Sequence, residues 1–574
     1  MKNIKRFLSG ICICSLLTSL TGCYDLEQLP HDSVVIDFND SQKAHETMVG
    51  VYQALNGSSV YNGFYALESA TDLGWSYNGW WPAYDKYNIS MGIANASYGG
   101  FSETWSGQYE GIARANNMIA NMGKSSLDES IRTQYIAESR FIRGLLYSNL
   151  LNYFGGVPIY DETFTGDASE MLNPRNTAEE VREFVLKDLT FAIENLPKTR
   201  SSVGQASQGA AYAQRGKVYL YNKEYEKAKA DFLQVVNGGY GYTLHSSYAD
   251  LFRPSGYENG ADDCNEIIFA VEHMGGSSTP YGLHVQFLGN RASYGGCINA
   301  NVASQELVAM YDCIDGKPYN RDDFFKGISD EDLYQSQFDE NGQKVVSYPP
   351  AVDKLKAMYE QRDPRMAATV ILPYTTYKGW VYNAAADCEM VLSNDGVYHS
   401  NEGNGYVRNA FNHDAYLWRK FVQEYDWGSQ IADRSNSPVN WPVIRYADVL
   451  LMLAECYNQT NDQSNAVIYI NQVRSRVGMP GLNSGPAWLA ANSQDEVFER
   501  IKHERAVEFA LEGLRFFDLR RWGELVEKTN GMKETDIMGK LIGGTKTIDE
   551  KYNLWPIPQS EIDLNDKLVQ NPGW

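Results

Sequence analysis

Residues 441–478, WPVIRYADVLLMLAECYNQTNDQSNAVIYINQVRSRVG, constrain the fold more than any other stretch of the chain. Tyr446, Val449, Leu450, Leu453 and Tyr457 recur at three- and four-residue steps, which predicts one buried helix face. Polar turn formers over 458–463 interrupt the pattern, and Ala466, Ile470 and Val473 restart it. Ala454, Tyr457, Ala466 and Ile470 stand at the spacing of a tetratricopeptide helix pair. Small side chains at 454 and 466 let two antiparallel helices nest, and the larger ones fill the groove between them. One such pair leaves an apolar face uncovered, so it predicts neighbours of the same kind.

A second unit lies at 208–236. Tyr212, Gly216, Tyr219, Tyr225, Ala228 and Phe232 keep the same spacing, with Arg215 where leucine is usual. Gly144 and Tyr147 suit the first helix of a third. Further helices are predicted from Ser41, as cap, to Leu55, and around Trp105, Tyr109, Ile112, Asn116 and Ile119. Another runs over 131–153 and stops at Gly155-Gly156-Val157-Pro158. Thr177 with Glu180 makes a capping box. Between 251 and 440 the helical period fades, Gly, Asn, Ser and Tyr dominate, and only short strand-like pieces such as 266–271 remain. That is too long for a plain loop.

The predicted fold is mostly α, a tetratricopeptide-like helical repeat scaffold with a large irregular inserted region. Its divisions are 1–22, a targeting segment; 23–40, an extended tether; 41–250, helical; 251–440, irregular; and 441–574, helical with an extended tail. Residues 23–574 are expected to form one compact unit.

Lys2, Lys5 and Arg6 precede an apolar run over 7–20 that is too short to span a membrane. It ends in Leu20-Thr21-Gly22-Cys23, similar to a bacterial lipoprotein cleavage box, which implies that Cys23 becomes the lipidated first residue and anchors the chain to a membrane. Losing those 22 residues takes the net charge from −22 to −25. A body so acidic repels phosphate backbones, so nucleic acid is not an expected partner. Cys264, Cys297, Cys313, Cys388 and Cys456 remain, without a CxxC pair; no metal site follows from them. His503-Glu504 opens like a zinc-protease helix, but Val507 takes the place of the second histidine. No phosphate loop, dinucleotide fingerprint or nucleophile elbow is present, so no cofactor and no catalytic residue are assigned. Glu504, Glu508 and Glu512 stand four apart on one helix face. Like charges at that spacing repel, so arginines, with Arg505 and Arg515 nearby, are expected to neutralise them.

Five segments from Cys23 onward resemble the SusD/RagB family of outer-membrane lipoproteins from Bacteroidetes. They are Cys23-Tyr24-Asp25-Leu26-Glu27; Arg140-Phe141-Ile142-Arg143 with Tyr153-Phe154-Gly155-Gly156-Val157-Pro158; residues 441–454; residues 504–522 (ERAVEFALEGLRFFDLRRW); and Pro556-Ile557-Pro558 with Gln570-Asn571-Pro572-Gly573-Trp574. The resemblance implies a cell-surface lipoprotein that captures oligosaccharide or polysaccharide and passes it to a TonB-dependent SusC-like transporter.

A sugar presents C–H faces rimmed by hydroxyls, so a binding surface needs flat apolar rings beside amide, carboxylate or guanidinium groups. Residues 71–105 hold nine aromatics in 35 positions, twice the 13% of the whole chain. Trp75, Tyr77, Trp80 and Trp81, with Asp72 and Asn78 as polar partners, are the first candidates for glycan binding. Trp105 lies on a helical face and is expected in the core. The second candidate is 281–294, where Arg291 and Asn290 lie near Tyr294; the third is 376–382, TYKGWVY. A membrane-anchored polysaccharide hydrolase and a helical-repeat protein that binds peptides or proteins are the rival readings.

Overall fold

The computed structural model describes residues 37–77, 86–276, 282–342, 344–393, 406–407 and 414–574. The longer helices are α1 (Ser41–Gln53), α2 (Gly99–Met122), α3 (Glu129–Phe154), α4 (Ala178–Asn195), α5 (Gln208–Tyr221), α6 (Tyr225–Asn237), α7 (Tyr446–Gln459), α8 (Gln463–Arg476), α9 (Gln494–Phe509), α10 (Arg515–Trp522) and the short α11 (Gln559–Leu564). From α2 to α8 each helix packs on the next, including α6 on α7 across two hundred residues of sequence. The chain therefore leaves the helical row after α6 and rejoins it at α7. No sheet among the described residues exceeds three strands, so the architecture is a mostly helical repeat scaffold. No helix there is long and apolar enough to cross a membrane.

Local signals explain the elements. Thr177 accepts from the Glu180 amide at 3.2 Å and Glu180 returns to the Thr177 amide at 2.8 Å, closing the box that starts α4. For α1 the cap is Asp40 rather than Ser41: its carboxylate accepts from the amides of Gln42 and Lys43. A charged acceptor one residue earlier outcompetes the hydroxyl. Gly216 is the close-approach point of α5 and α6, since a Cβ there would lie 2.6 Å from the Phe232 ring.

Helix α7 differs from expectation in one respect. Residues 446–456 are buried on every side, not on one face, because α6, α8 and α9 surround them. Its acids are consequently internal and paired, Asp448 with Arg505 and Glu455 with Arg521. Strand β6 (Trp441–Arg445) leads into α7 and pairs antiparallel with β2 (Ile267–Val271).

Arg445, at the end of β6, reaches the acidic face of α9. Glu504 meets Arg365 and Arg474; Glu508 meets Arg365, Arg445 and Arg476; Glu512 meets Arg445 and Lys420. Burial alone would raise the Glu508 carboxyl, but Arg476, Arg445 and Arg365 outweigh it and hold it well below the usual carboxylate range. The neutralising arginines are thus not the two adjacent in sequence: Arg505 serves Asp448 and Asp518, and Arg515 serves Asp72. The five cysteines from Cys264 to Cys456 are free.

Candidate functional site

The first aromatic segment enters the core. Strand β1 (Gly74–Ser76) pairs antiparallel with β3 (Asn301–Ala303), Trp75 opposite Val302. Trp75 is only 3% exposed, so it is not an outward platform. The Lys546 ammonium sits 4.3 Å from its ring centroid and donates to the carbonyls of Ser69, Thr71 and Gly74 at 2.8, 2.5 and 3.0 Å. Burial pushes that ammonium down to about 7. Asp72 is likewise buried and takes a bidentate pair from Arg515 at 2.9 and 2.7 Å, leaving no carboxylate for a sugar. Tyr77 is half-buried and its amide donates to Ala300. Trp105 lies in the core against Tyr109 and Phe154. Asn78, Trp80, Trp81 and Cys23 lie outside the described residues.

The second and third segments meet. Strands β4 (Thr376–Val381) and β5 (Ala384–Met390) form a hairpin whose two turn residues, Tyr382 and Asn383, have φ of 50° and 59°. Positive φ at both positions defines a type I′ turn, which matches the twist of the strands it joins. Tyr382 stands at the tip, 76% exposed. Behind it, the Trp380 amide donates to Ala292 O at 2.6 Å. Gly379 permits that approach, because a Cβ there would fall 2.8 Å from the same carbonyl and 2.6 Å from Cys388 Sγ. The result brings the rings of Tyr294 and Trp380 to 5.1 Å with 46° between their planes, an open notch rather than a stack. Across the hairpin Trp380 faces Ala385, whose methyl is too small to cover it.

The notch rests on a buried support. Tyr377 donates to Gln423 O at 2.6 Å and shares a 2.7 Å hydrogen bond with Ser293. Asn290, expected to meet sugar hydroxyls, is instead wholly buried and accepts from the Ala292 amide, building the turn that carries Tyr294. Arg291 is exposed and donates to Gly296 O at 3.3 Å; Arg434 reaches the same carbonyl at 2.8 Å. Lys378 and Asp387 share the outward face of the hairpin with Trp380. Lys378 pairs with Glu258, and Asp387 accepts from Tyr425 at 2.6 Å, a bond that, with a little desolvation, lifts the phenol to about 12.

Of the sequence candidates, Tyr294, half-buried, and Arg291, exposed, thus share one surface, while Asp72 and Trp75 are buried away from it. Sequence reasoning pointed to the segment of Trp380 and Tyr382 without linking it to Tyr294. It missed Asp387, Tyr425 and Arg434 altogether. The turn carried no Asn-Gly or Asp-Gly signature, so nothing local announced the hairpin. Among the described residues no group of three or more His, Cys, Asp or Glu side chains is arranged to hold a metal ion.

Fold and surface together define a helical-repeat scaffold that presents aromatic rings amid charged side chains. Residues 265–574 match the SusD family, more than half of the chain, and residues 25–220 match a family described as "Starch-binding associating with outer membrane". The chain belongs to the SusD family. It is 25% identical to SusD-like protein P2 of Formosa agariphila over 97% of this chain and 98% of that one, and 23% identical to the starch-binding protein SusD of Bacteroides thetaiotaomicron over 76% and 72%. In fold it is similar to a SusD-like protein from Bacteroides fragilis (TM-score 0.75, 23% identity, 94% of this chain and 99% of that one). A laminarin-binding SusD-like protein is also similar (TM-score 0.60, 24% identity, 93% and 100%).

Proposed function

We propose that the protein captures oligosaccharide or polysaccharide on the notch of Tyr294 and Trp380, with Tyr382 as an outlying ring and Arg291, Arg434 and Asp387 as hydroxyl partners. The observation that carries this reading is the half-buried Tyr294–Trp380 pair, tilted apart, opposite the small Ala385 and beside charged groups. Supporting it, one relative is named a starch-binding protein and one structural neighbour a laminarin-binding protein. Trp80, Trp81 and Asn78 follow Tyr77, whose amide bonds the segment that also bears Tyr294, and they remain proposed contributors. In this reading Cys23 carries a lipid that holds the protein on the outer membrane facing outward. The glycan is released unaltered to a TonB-dependent SusC-like barrel. The protein is a binder and not an enzyme; the α9 carboxylates nearest to an acid–base pattern are each fixed by arginine or lysine.

Two or three platforms at about 1 kcal/mol each, with a few net hydrogen bonds, give dissociation constants of roughly 0.1–1 mM. Native gels cast with starch, laminarin or other soluble glycans test the assignment. Retardation in at least one glycan, lost in the double variant Tyr294→Ala/Trp380→Ala and accompanied by no release of reducing sugar, is the expected result. Retardation unchanged in that variant moves the site elsewhere, and reducing-sugar release replaces binding with hydrolysis.

A further inference from the structure

The charged neighbours of the Tyr294–Trp380 notch are of two kinds. Lys378 is paired with Glu258, Asp387 takes the Tyr425 hydroxyl, and Asp433 takes the Ser435 amide. Arg291 and Arg434, by contrast, meet no carboxylate among the described residues. Their guanidiniums donate only to backbone carbonyls. Arg291 reaches Gly296 O at 3.3 Å; Arg434 reaches Gly295 O at 3.0 Å and Gly296 O at 2.8 Å. Two cations therefore hang on one oxygen, two residues past Tyr294.

The local chain is shaped to hold them there. Gly295 and Gly296 have φ of 74° and 64°, a left-handed course that glycine adopts without strain. A Cβ on Gly295 would lie 3.1 Å from Arg434 Cβ and 3.3 Å from its Cδ, so the missing side chain leaves room for the arginine stem. Tyr294 Oη donates to Ala432 O at 3.4 Å, two residues before Arg434, which fastens the two segments a second time. Beneath them, burial pushes the Cys297 thiol up to about 11, and both Arg434 and Arg291 pull against that rise. The two positive charges thus converge on one place, and neither is neutralised there.

We propose, resting on the glycan-capture reading above, that the ligand is an anionic glycan whose carboxylate or sulfate bridges Arg291 and Arg434 while a sugar ring lies against Tyr294 and Trp380. Such a group projects from the rim of a sugar ring, so a stacked sugar directs it to the side chains beside the aromatic face. Two like charges held together repel. An anion between them relieves that repulsion and forms charge-assisted hydrogen bonds, each about twice as strong as a neutral one. The planar fork of guanidinium matches carboxylate and sulfate oxygens in a way that a sugar hydroxyl does not. The net charge of −22 does not override this, because at physiological salt a charge acts over about 8 Å and the anion responds to its immediate neighbours.

Titration calorimetry with glycans matched in all but charge tests the assignment. Oligogalacturonate and its methyl ester form the carboxylate pair, dextran sulfate and dextran the sulfate pair, and starch and laminarin oligosaccharides complete the set. In 50 mM NaCl a charged member should bind about tenfold tighter than its neutral counterpart, and the pair that shows this names the anion. In 500 mM NaCl most of the preference should vanish. Arg291→Gln and Arg434→Gln should each cut the charged-to-neutral affinity ratio about threefold and the double variant about tenfold, while Arg291→Lys should restore part of it. Arg434 also fastens its loop, so the exposed Arg291 carries the test should urea unfolding show Arg434→Gln to be unstable. Neutral members bound as tightly as charged ones, or a charge preference that survives the double variant, would overturn the anion assignment and leave glycan capture standing. Glycan capture at the notch fails separately, if Tyr294→Ala/Trp380→Ala binds every glycan as well as the parent does. Binding to no glycan of the set overturns both.

Discussion

Two tryptophans sit on short strands and meet opposite fates. Trp75 is at the centre of β1, covered on one side by β3 and roofed by the Lys546 ammonium. Trp380 is on a hairpin whose opposite residue is alanine and whose outward face carries Lys378 and Asp387. Both stand beside a glycine in sequence, and both belong to aromatic stretches. What separates them is the identity of the residues brought across from elsewhere: a valine and a lysine in one case, a methyl group in the other. Local aromatic density marks a ring-rich segment without saying which way its rings face.

This contrast is open to attack first on the buried side. Arg515→Ala would strand the Asp72 carboxylate in the core, and Trp75→Ala would empty its place beneath Lys546. Each should cost about 3–5 kcal/mol in urea-induced unfolding. A loss near zero for Trp75→Ala would mean that its ring faces solvent after all. The acid–base groups around the same ring give a second, smaller test. Burial pushes Glu68 up to about 8, so the folded chain keeps a proton that the unfolded chain gives up near 4.5. Its contribution to stability is complete below 4.5 and is lost as pH rises through about 8. Lys546 runs the other way. Burial lowers it to about 7, so its contribution is complete above its ordinary 10.5 and is lost as pH falls through about 7. Unfolding free energies from pH 4.5 to 7 should therefore decline relative to Glu68→Gln. Parallel curves for the two proteins would show that Glu68 is ionised throughout.

On the exposed side the order of effects reverses. Trp380→Ala removes a half-buried ring, so it should cost less stability than Trp75→Ala, about 1–2 kcal/mol, while glycan affinity should fall roughly five- to tenfold. Titration calorimetry and urea unfolding on the same preparation separate the two quantities. A several-kcal/mol destabilisation with unchanged affinity would make Trp380 a second Trp75.

Much of the scaffold was legible because its information is local. The 454/466 and 216/232 spacings place helix pairs within a few dozen residues, and the Thr177–Glu180 box is written in four. The candidate site was only half legible, because burial there depends on distant partners. Nothing near Trp75 announces a lysine 471 positions further on, and nothing near Tyr294 announces the edge of β4. The arginines that neutralise α9 show the same limit: Arg365, Arg445 and Arg476 come from three other elements, while Arg505 and Arg515, close in sequence, turn elsewhere.

The finest distinction lies within the hairpin itself, at Tyr382. Its φ of 50° is a left-handed conformation that a tyrosine adopts at a cost of about 1 kcal/mol or more. Glycine would adopt it freely, but glycine also gains more freedom in the unfolded chain, about 0.5–1 kcal/mol. The two terms nearly cancel, so Tyr382→Gly should leave stability within about 0.5 kcal/mol of the parent. Tyrosine therefore gives the turn no stability that glycine lacks, and what it adds at that position is its exposed ring. Affinity for the glycan that the notch binds should accordingly fall two- to threefold in Tyr382→Gly and by the same factor in Tyr382→Ala. Equal affinity in all three would leave Trp380 and Tyr294 as the working rings and reduce Tyr382 to a bystander at the tip.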